Sequence, residues 1–370
     1  MDLYRELAHQ QGNVAFSPYS IAVALAMTRA GAVGRTASEM DTVLHAAMAG
    51  DLDDGFNALD QALAKRSGKY PYGYGPAGPT TVDLELATAD QLWGQRGFPL
   101  ERAFLDRLAA YYGAGMRIVD YVGARDQARA DINAWVAERT HDRIPELIPK
   151  GILDDHTRLV LTNAIYLKAK WFRSFAKAAP GSFYRADGSE TRANLMALDE
   201  SMGYGKSVGY EAAQLSYVGG LSMILIVPDA GTFGVFESSL RDGARLRGII
   251  DSLAPDYVRL RMPKFTFRSQ SLLRRPLSDL GMPIAFTDDA DFSAMSPFGN
   301  DMLLQEVVHE TFIAVDEEGT EAAAATAVIG GATGGPSHIV DLTVDRPFIF
   351  LVRDDETGAI LFMGRVLDPN

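Results

Sequence analysis

The sequence predicts a single α+β unit with large antiparallel sheets. Helical spacing dominates the first 140 residues, strand patterns dominate after residue 158, and neither a regular βαβ alternation nor a linker-like break in composition separates them. Ser17-Pro18 reads as a cap followed by proline at the first helical position, with Ile21, Ala24, Leu25 and Thr28 at helical spacing, so this helix is expected to be buried. Gly31 and Gly34 end it, and Thr36-Ala-Ser-Glu39 reads as a capping box that opens the next helix. Residues 69–81, rich in Gly, Pro and Tyr, read as an exposed loop between helices. Helical patterns return over 100–112 and 126–140. Runs rich in β-branched and aromatic residues then predict strands over 158–167, 221–228, 257–262, 265–267, 307–315 and 348–352.

Composition removes several classes of function. With 47% hydrophobic and 22% charged residues the chain is a packed globular protein rather than a disordered one. A net charge of −13 disfavours nucleic acid as a partner, because phosphates are met by clustered Lys and Arg. No apolar run approaches the ~18 residues of a membrane helix. The absence of cysteine rules out disulfides, thiol catalysis and cysteine-held metals, and there is no Asn-x-Ser/Thr sequon. Residues 1–7 carry two acids at helical spacing rather than the basic flank and apolar run of a signal peptide.

The most informative stretch is 316–336. Its Gly pairs and Pro336 read as loop, yet from Ala322 to Val340 there is no Asp, Glu, Lys or Arg, and no proline before Pro336. Small uncharged residues without proline can enter the middle of a sheet, where charges and missing amide donors are costly. At ~3.3 Å per residue, the 15 residues from Gly319 to Thr333 would extend about 50 Å, the span of a domain. In such a strand Thr320, Ala322, Ala324, Thr326 and Val328 would share one face.

Glu317-Glu-Gly-Thr-Glu-Ala-Ala-Ala-Ala-Thr326 resembles the hinge of inhibitory serpins at every position. Matching segments follow the family order along essentially the whole chain: Asn13-Val-Ala-Phe-Ser-Pro-Tyr-Ser-Ile21, Asn163-Ala-Ile-Tyr-Leu-Lys-Ala-Lys-Trp171, Met262-Pro-Lys-Phe265, Asp291-Phe-Ser293, Arg346-Pro-Phe-Ile-Phe350 and Phe362-Met-Gly-Arg365. The resemblance implies a serpin fold over 1–370, with about nine helices, three β-sheets and an exposed reactive-centre loop at about 317–340. It implies a metastable native state whose loop, once cut by a serine protease, inserts into the central sheet and traps the acyl-enzyme. The inhibitor supplies no catalytic residue and needs no cofactor.

By the same resemblance, Glu317, Gly319, Thr320, Glu321, Ala322, Ala323, Ala324, Ala325 and Thr326 form the hinge. Ser17, Ser20, Asn163 and His309 match the polar shutter beneath the opening sheet, and Trp171 matches the aromatic of the breach where insertion starts. Counting forward from Gly319 places the scissile bond between Thr333 and Gly334, inside the window of Ala332, Thr333, Gly334 and Gly335; counting back from Pro347 places it at Pro336. Small residues there suit the shallow S1 pocket of an elastase-like or subtilisin-like target.

Enzymatic readings fail on context. Gly73-Tyr-Gly-Pro-Ala-Gly78 spells a dinucleotide fingerprint without the strand and helix around it, and His309-Glu310 lacks the second histidine of a zinc protease. Asp288-Asp289-Ala-Asp291 lacks the glycine and distal glutamate of a calcium loop, and no G-x-S-x-G elbow occurs. A non-inhibitory serpin acting as carrier or chaperone is the alternative, disfavoured by the small hinge residues. Residues 51–67 hold four acids against Lys65-Arg66, so no heparin is expected. The expected state is a monomer with no metal, membrane or nucleic-acid partner. The resemblance favours an extracellular setting, whereas a true start at Met1 without a signal peptide would leave the chain cytoplasmic.

Overall fold

The computed structural model describes residues 1–49, 51–75, 78–321 and 338–370. Its helices are α1 (Asp2–Leu7), α2 (Pro18–Arg29), α3 (Gly34–Val43), α4 (Ala46–Ala49), α5 (Leu52–Ala64), α6 (Arg102–Tyr112), α7 (Arg125–Arg139), α8 (Phe233–Ser239), α9 (Gly243–Asp251) and α10 (Arg274–Asp279). The strands are β1 (Val14–Phe16), β2 (Gly68–Gly75), β3 (Gly78–Thr88), β4 (Gln91–Gln95), β5 (Met116–Val119), β6 (Leu159–Lys170), β7 (Ala176–Tyr184), β8 (Glu190–Ser207), β9 (Tyr210–Ser216), β10 (Leu221–Pro228), β11 (Ala254–Pro263), β12 (Phe265–Leu272), β13 (Leu304–Val315), β14 (Gly319–Thr320), β15 (Val340–Thr343), β16 (Phe348–Asp354) and β17 (Ile360–Val366). Among the described residues no helix is long and apolar enough to cross a membrane.

Backbone pairing joins the strands into two networks. One runs β1-β17-β16-β10-β9-β8-β11-β15, with β7 also on β8; the other runs β12-β13-β14-β6-β3-β2, with β4 also on β6 and β5 on the far side of β4. The 18-residue β8 bends the first network: residues 190–197 pair with β7, 195–204 with β11 and 203–207 with β9. The described strands therefore form two sheets by backbone pairing, where three were expected, because β8 is long enough to join β7, β11 and β9 into one.

Helix α2 forms as its sequence predicts. Ser17 caps it by accepting from the Ser20 N–H, Pro18 occupies the first turn, and Tyr19, Ile21, Val23, Ala24, Leu25 and Met27 are all buried. The capping box does not form. Helix α3 begins at Gly34, two residues before Thr36, with Val33, which has no side-chain acceptor, at its cap; Thr36 Oγ1 instead accepts from the Asp291 N–H at 2.9 Å and Glu39 Oε2 from the Ile284 N–H at 3.0 Å. Tertiary donors from 284–291 outcompete the local ones. The exposed loop expected over 69–81 is instead a hairpin: β2 and β3 pair Tyr70 with Val82 and Tyr72 with Thr80. Pro71 is tolerated because β2 is an edge strand, and the tyrosines anchor it, Tyr70 Oη donating to Arg66 O and Tyr72 Oη meeting Ser174 Oγ at 3.0 Å. A third difference is β1, a strand inside a stretch that reads as helical, paired antiparallel to β17.

Between β6 and β13 lies a seam. The two strands are parallel and pair from Leu159/Leu304 to Ile165/Thr311. Outside it, Ile132 and Val136 of α7 and Ile144, Leu147, Ile148 and Leu153 of the following segment pack on Val160, Ala164 and Val308. These residues cover the seam from the side opposite the main core.

Candidate functional site

Above Ile165 and Thr311 the strands part, and β14 occupies the gap. Thr320 pairs with Val315 on one side and Ala169 on the other, and Gly319 pairs with Lys170. Glycine is required at 319 by close approach: a Cβ there would meet Ala169 O at 2.1 Å and Lys170 Cα at 2.8 Å. Thr320 is buried, with its Oγ1 2.7 Å from the Tyr217 hydroxyl beneath the sheet. Gly319 and Thr320, expected in the hinge, thus sit as a short strand between β6 and β13. Ala322, Ala323, Ala324, Ala325 and Thr326, and the bond window Ala332, Thr333, Gly334 and Gly335, lie outside the described residues.

Trp171 closes the upper end of the gap. Its ring stacks on Tyr217 at 4.1 Å and 11° and meets Phe175 edge-on, while Nε1 donates to Asp316 O at 2.9 Å and its N–H to Glu318 O. The approach to β14 is held by ion pairs. Lys264 Nζ lies 2.7 Å from Glu317 Oε2, and the buried Lys170 ammonium pairs with Glu318. Burial alone would raise the Glu317 carboxyl, yet Lys264 and the Ala178 N–H hold it below its usual range.

Lower down the seam, Ser17, Ser20, Asn163 and His309 converge although 292 positions separate Ser17 from His309. The Ser17 N–H donates to His309 Nε2 at 3.0 Å. Nε2 therefore accepts, Nδ1 carries the proton, and it donates to Asn163 Oδ1 across the β6/β13 pairing. Asn163 Nδ2 donates to Ser20 Oγ at 2.6 Å and to Asp90, and Ser20 Oγ donates to Asp90 Oδ1 at 2.7 Å. Full burial pushes the imidazole down to about 3, so it stays neutral. Burial, with the nearby Asp60 charge, raises the Asp90 carboxyl to about 8 against the bonds from Ser20, Asn163 and Thr88.

Asp90 and Tyr217 went unread in the sequence, as did Lys170, Lys264 and Arg143, which pair with Glu318, Glu317 and Glu321. Three glutamates in a row of five residues signal cationic partners, but nothing in the sequence says which bases reach them. Asp90 carries little local signal, since apart from Thr88 its partners come from α2 and β6. Of the decoys, His309 and Glu310 lie in β13 with the imidazole fully engaged by Ser17 and Asn163, and Asp291 Oδ1 accepts from the Ser293 N–H in a turn.

Residues 1–369 match the family described as Serpin (serine protease inhibitor). An uncharacterised serpin-like protein of Thermococcus kodakarensis is 37% identical over 373 residues, covering 100% of this chain and 83% of that protein. The leukocyte elastase inhibitor of Bos taurus is 34% identical over 383 residues, covering 100% and 97%. The crystal structure of Serpin48 from the insect Tenebrio molitor superposes with a TM-score of 0.85 at 30% identity, covering 100% of this chain and 95% of that one.

Proposed function

The chain belongs to the serpin family, described as serine protease inhibitors, and on that premise we propose that it inhibits serine proteases of elastase-like or subtilisin-like specificity as a suicide substrate. The observation that carries this reading is the seam. Two hinge residues are seated between β6 and β13, and the next part of the same gap is zipped only by side chains and ladder bonds that can exchange partners.

In this mechanism the protease serine Oγ attacks the carbonyl of Thr333, or of a neighbour within Ala332–Gly335. The peptide bond breaks, the amine of Gly334 leaves with the proton delivered by the protease histidine, and an ester joins the two proteins. The freed loop then enters the seam behind Thr320. Each inserted residue trades water for ladder hydrogen bonds worth about 1 kcal/mol each, and small side chains at Ala322, Ala324 and Thr326 enter the core face without a cavity or clash. Parting β6 from β13 needs about 4.8 Å and breaks the His309–Asn163 bond, so Ser17, Ser20, Asn163 and His309 serve as the shutter and Trp171 as the breach. Drawn away with the loop, the protease loses the ångström-scale alignment of its oxyanion hole and cannot deacylate.

Incubation with an elastase-type and a subtilisin-type protease, followed by denaturing electrophoresis and intact mass, tests the proposal. An SDS-resistant band at the summed mass with release of a small carboxy-terminal peptide is expected, and the peptide mass names the bond. Loop cleavage that leaves both proteases fully active would overturn it and favour the carrier or chaperone reading.

A further inference from the structure

We propose that Arg143 and Glu321 form a latch that holds the hinge at its two inserted residues and couples it to the segment covering the seam. The inference rests on the loop-insertion reading and names a positioning pair within it. Glu321 still donates its N–H to Ala314 O at 3.1 Å, but its φ of 54° is left-handed, a conformation seldom kept by a residue with a side chain. This turn carries the chain out of line with β14, so an extended strand can grow past Thr320 only if Glu321 leaves it.

The side chain holds the turn in place. Its carboxylate is 5% exposed, lies 2.6 Å from Arg143 Nε and is hydrogen-bonded by the Tyr166 hydroxyl. Tyr166 and Phe312 are the residues immediately above the last zipped pair, Ile165 and Thr311, and the Arg143 guanidinium lies 5.5 Å over the Phe312 ring. The latch therefore straddles the point where the strands part.

Arg143 is delivered from α7 by two successive left-handed residues, His141 at φ 49° and Asp142 at φ 60°. The residues after it, Ile144, Leu147 and Ile148, pack on Val160, Ala164 and Val308 across the seam. A strand entering the seam must lift this cover, and Arg143 moves with it. Hinge straightening and cover displacement are thus one event as long as the pair is intact. An exposed ion pair such as Arg102–Asp106, with side chains 93% and 71% exposed, has no such reach.

The experiment compares the whole chain with Arg143→Ala, Glu321→Gln, their double variant and Arg143→Lys. The readout is the rate at which the uncleaved protein, held at raised temperature, converts to a urea-resistant form, followed by Trp fluorescence. Each disruptive single variant is expected to convert about tenfold faster, the loss of one charge-assisted hydrogen bond. The double variant should match the singles and Arg143→Lys should stay near wild type. Unchanged rates in both singles, or effects that multiply in the double, would overturn the latch. If the uncleaved chain does not convert, the same comparison on loop-cleaved chain, read as the rate of gain in thermal stability, applies with the same outcomes. Wild type that forms no protease complex while the variants still accelerate conversion would sink the inhibitory reading alone. Normal complex formation with unchanged conversion would sink the latch alone.

Discussion

Replacing Asp90 by Asn removes an ionisable group from the network of Ser20, Asn163 and His309 while keeping an oxygen able to accept from Ser20 and Asn163. In the native state the Asp90 carboxyl titrates at about 8, far above the ordinary ~3.9 of an unfolded chain. The folded protein therefore keeps a proton that the unfolded chain has released. That stabilisation is complete below about pH 4 and is lost as pH rises through 8. His309 acts in the opposite sense: at about 3 it lies below the ordinary ~6.5, so its contribution is complete above pH 6.5 and is lost as pH falls through 3. Between about pH 4 and 6.5 the two slopes cancel. From 6.5 to 8 Asp90 acts without His309, with a limiting slope of about 1.4 kcal/mol per pH unit, reduced where the carboxylate faces the small cavity beside Trp135. Glu200, raised to about 7, adds a like slope up to that pH, but it is common to both proteins. Because His309 and Glu200 are common to both proteins, urea unfolding at half-unit steps from pH 5 to 8.5 should show wild type falling away from Asp90→Asn from pH 5 up to about 8, by about 1 kcal/mol per unit, and running parallel to it above 8. Profiles parallel throughout would refute the reasoning.

Gly319→Ala should cost about 1–3 kcal/mol of native stability by overpacking and displace β14, seen as a lower thermal midpoint and a smaller yield of SDS-stable complex. Thr320→Arg places a guanidinium beside the buried Tyr217 hydroxyl, where an unpaired charge costs several kcal/mol; the loop should still be cut, with the protease released active rather than trapped, as an activity titration would show. Trp171→Phe keeps an aromatic face for Tyr217 but leaves Asp316 O without its indole donor, a loss of about 1–2 kcal/mol that urea unfolding would register.

The helices α2, α6 and α7 and the strands β6, β10, β13 and β16 were legible because each carries its pattern within its own window: a cap and proline at α2, continuous apolar β-branched runs at β6 and β10. The hairpin β2–β3 was not, since its Gly and Pro spell a loop and its strand character depends on lying at a sheet edge with Tyr70 and Tyr72 anchored to distant residues. Strands β7 and β8 were missed for a related reason. Both alternate only loosely between buried and exposed positions, β7 because it is an edge strand exposed over most of its length and β8 because its partners change from β7 to β11 to β9 along its length. Thr36 and Glu39 carried a genuine local signal that was redirected by donors more than two hundred residues away.

By itself the sequence determined the fold class, the family and a run of small uncharged residues able to become a strand. These are properties of composition and local spacing, read from side chains one window at a time. Only the tertiary structure decided that Gly319 and Thr320 lie between β6 and β13, that Asp90 completes the network of Ser20 and Asn163, and that Arg143 faces Glu321. Those facts depend on which strands and loops are brought face to face. Burial and charge pairing there are set by partners hundreds of positions apart, and a linear pattern does not encode them.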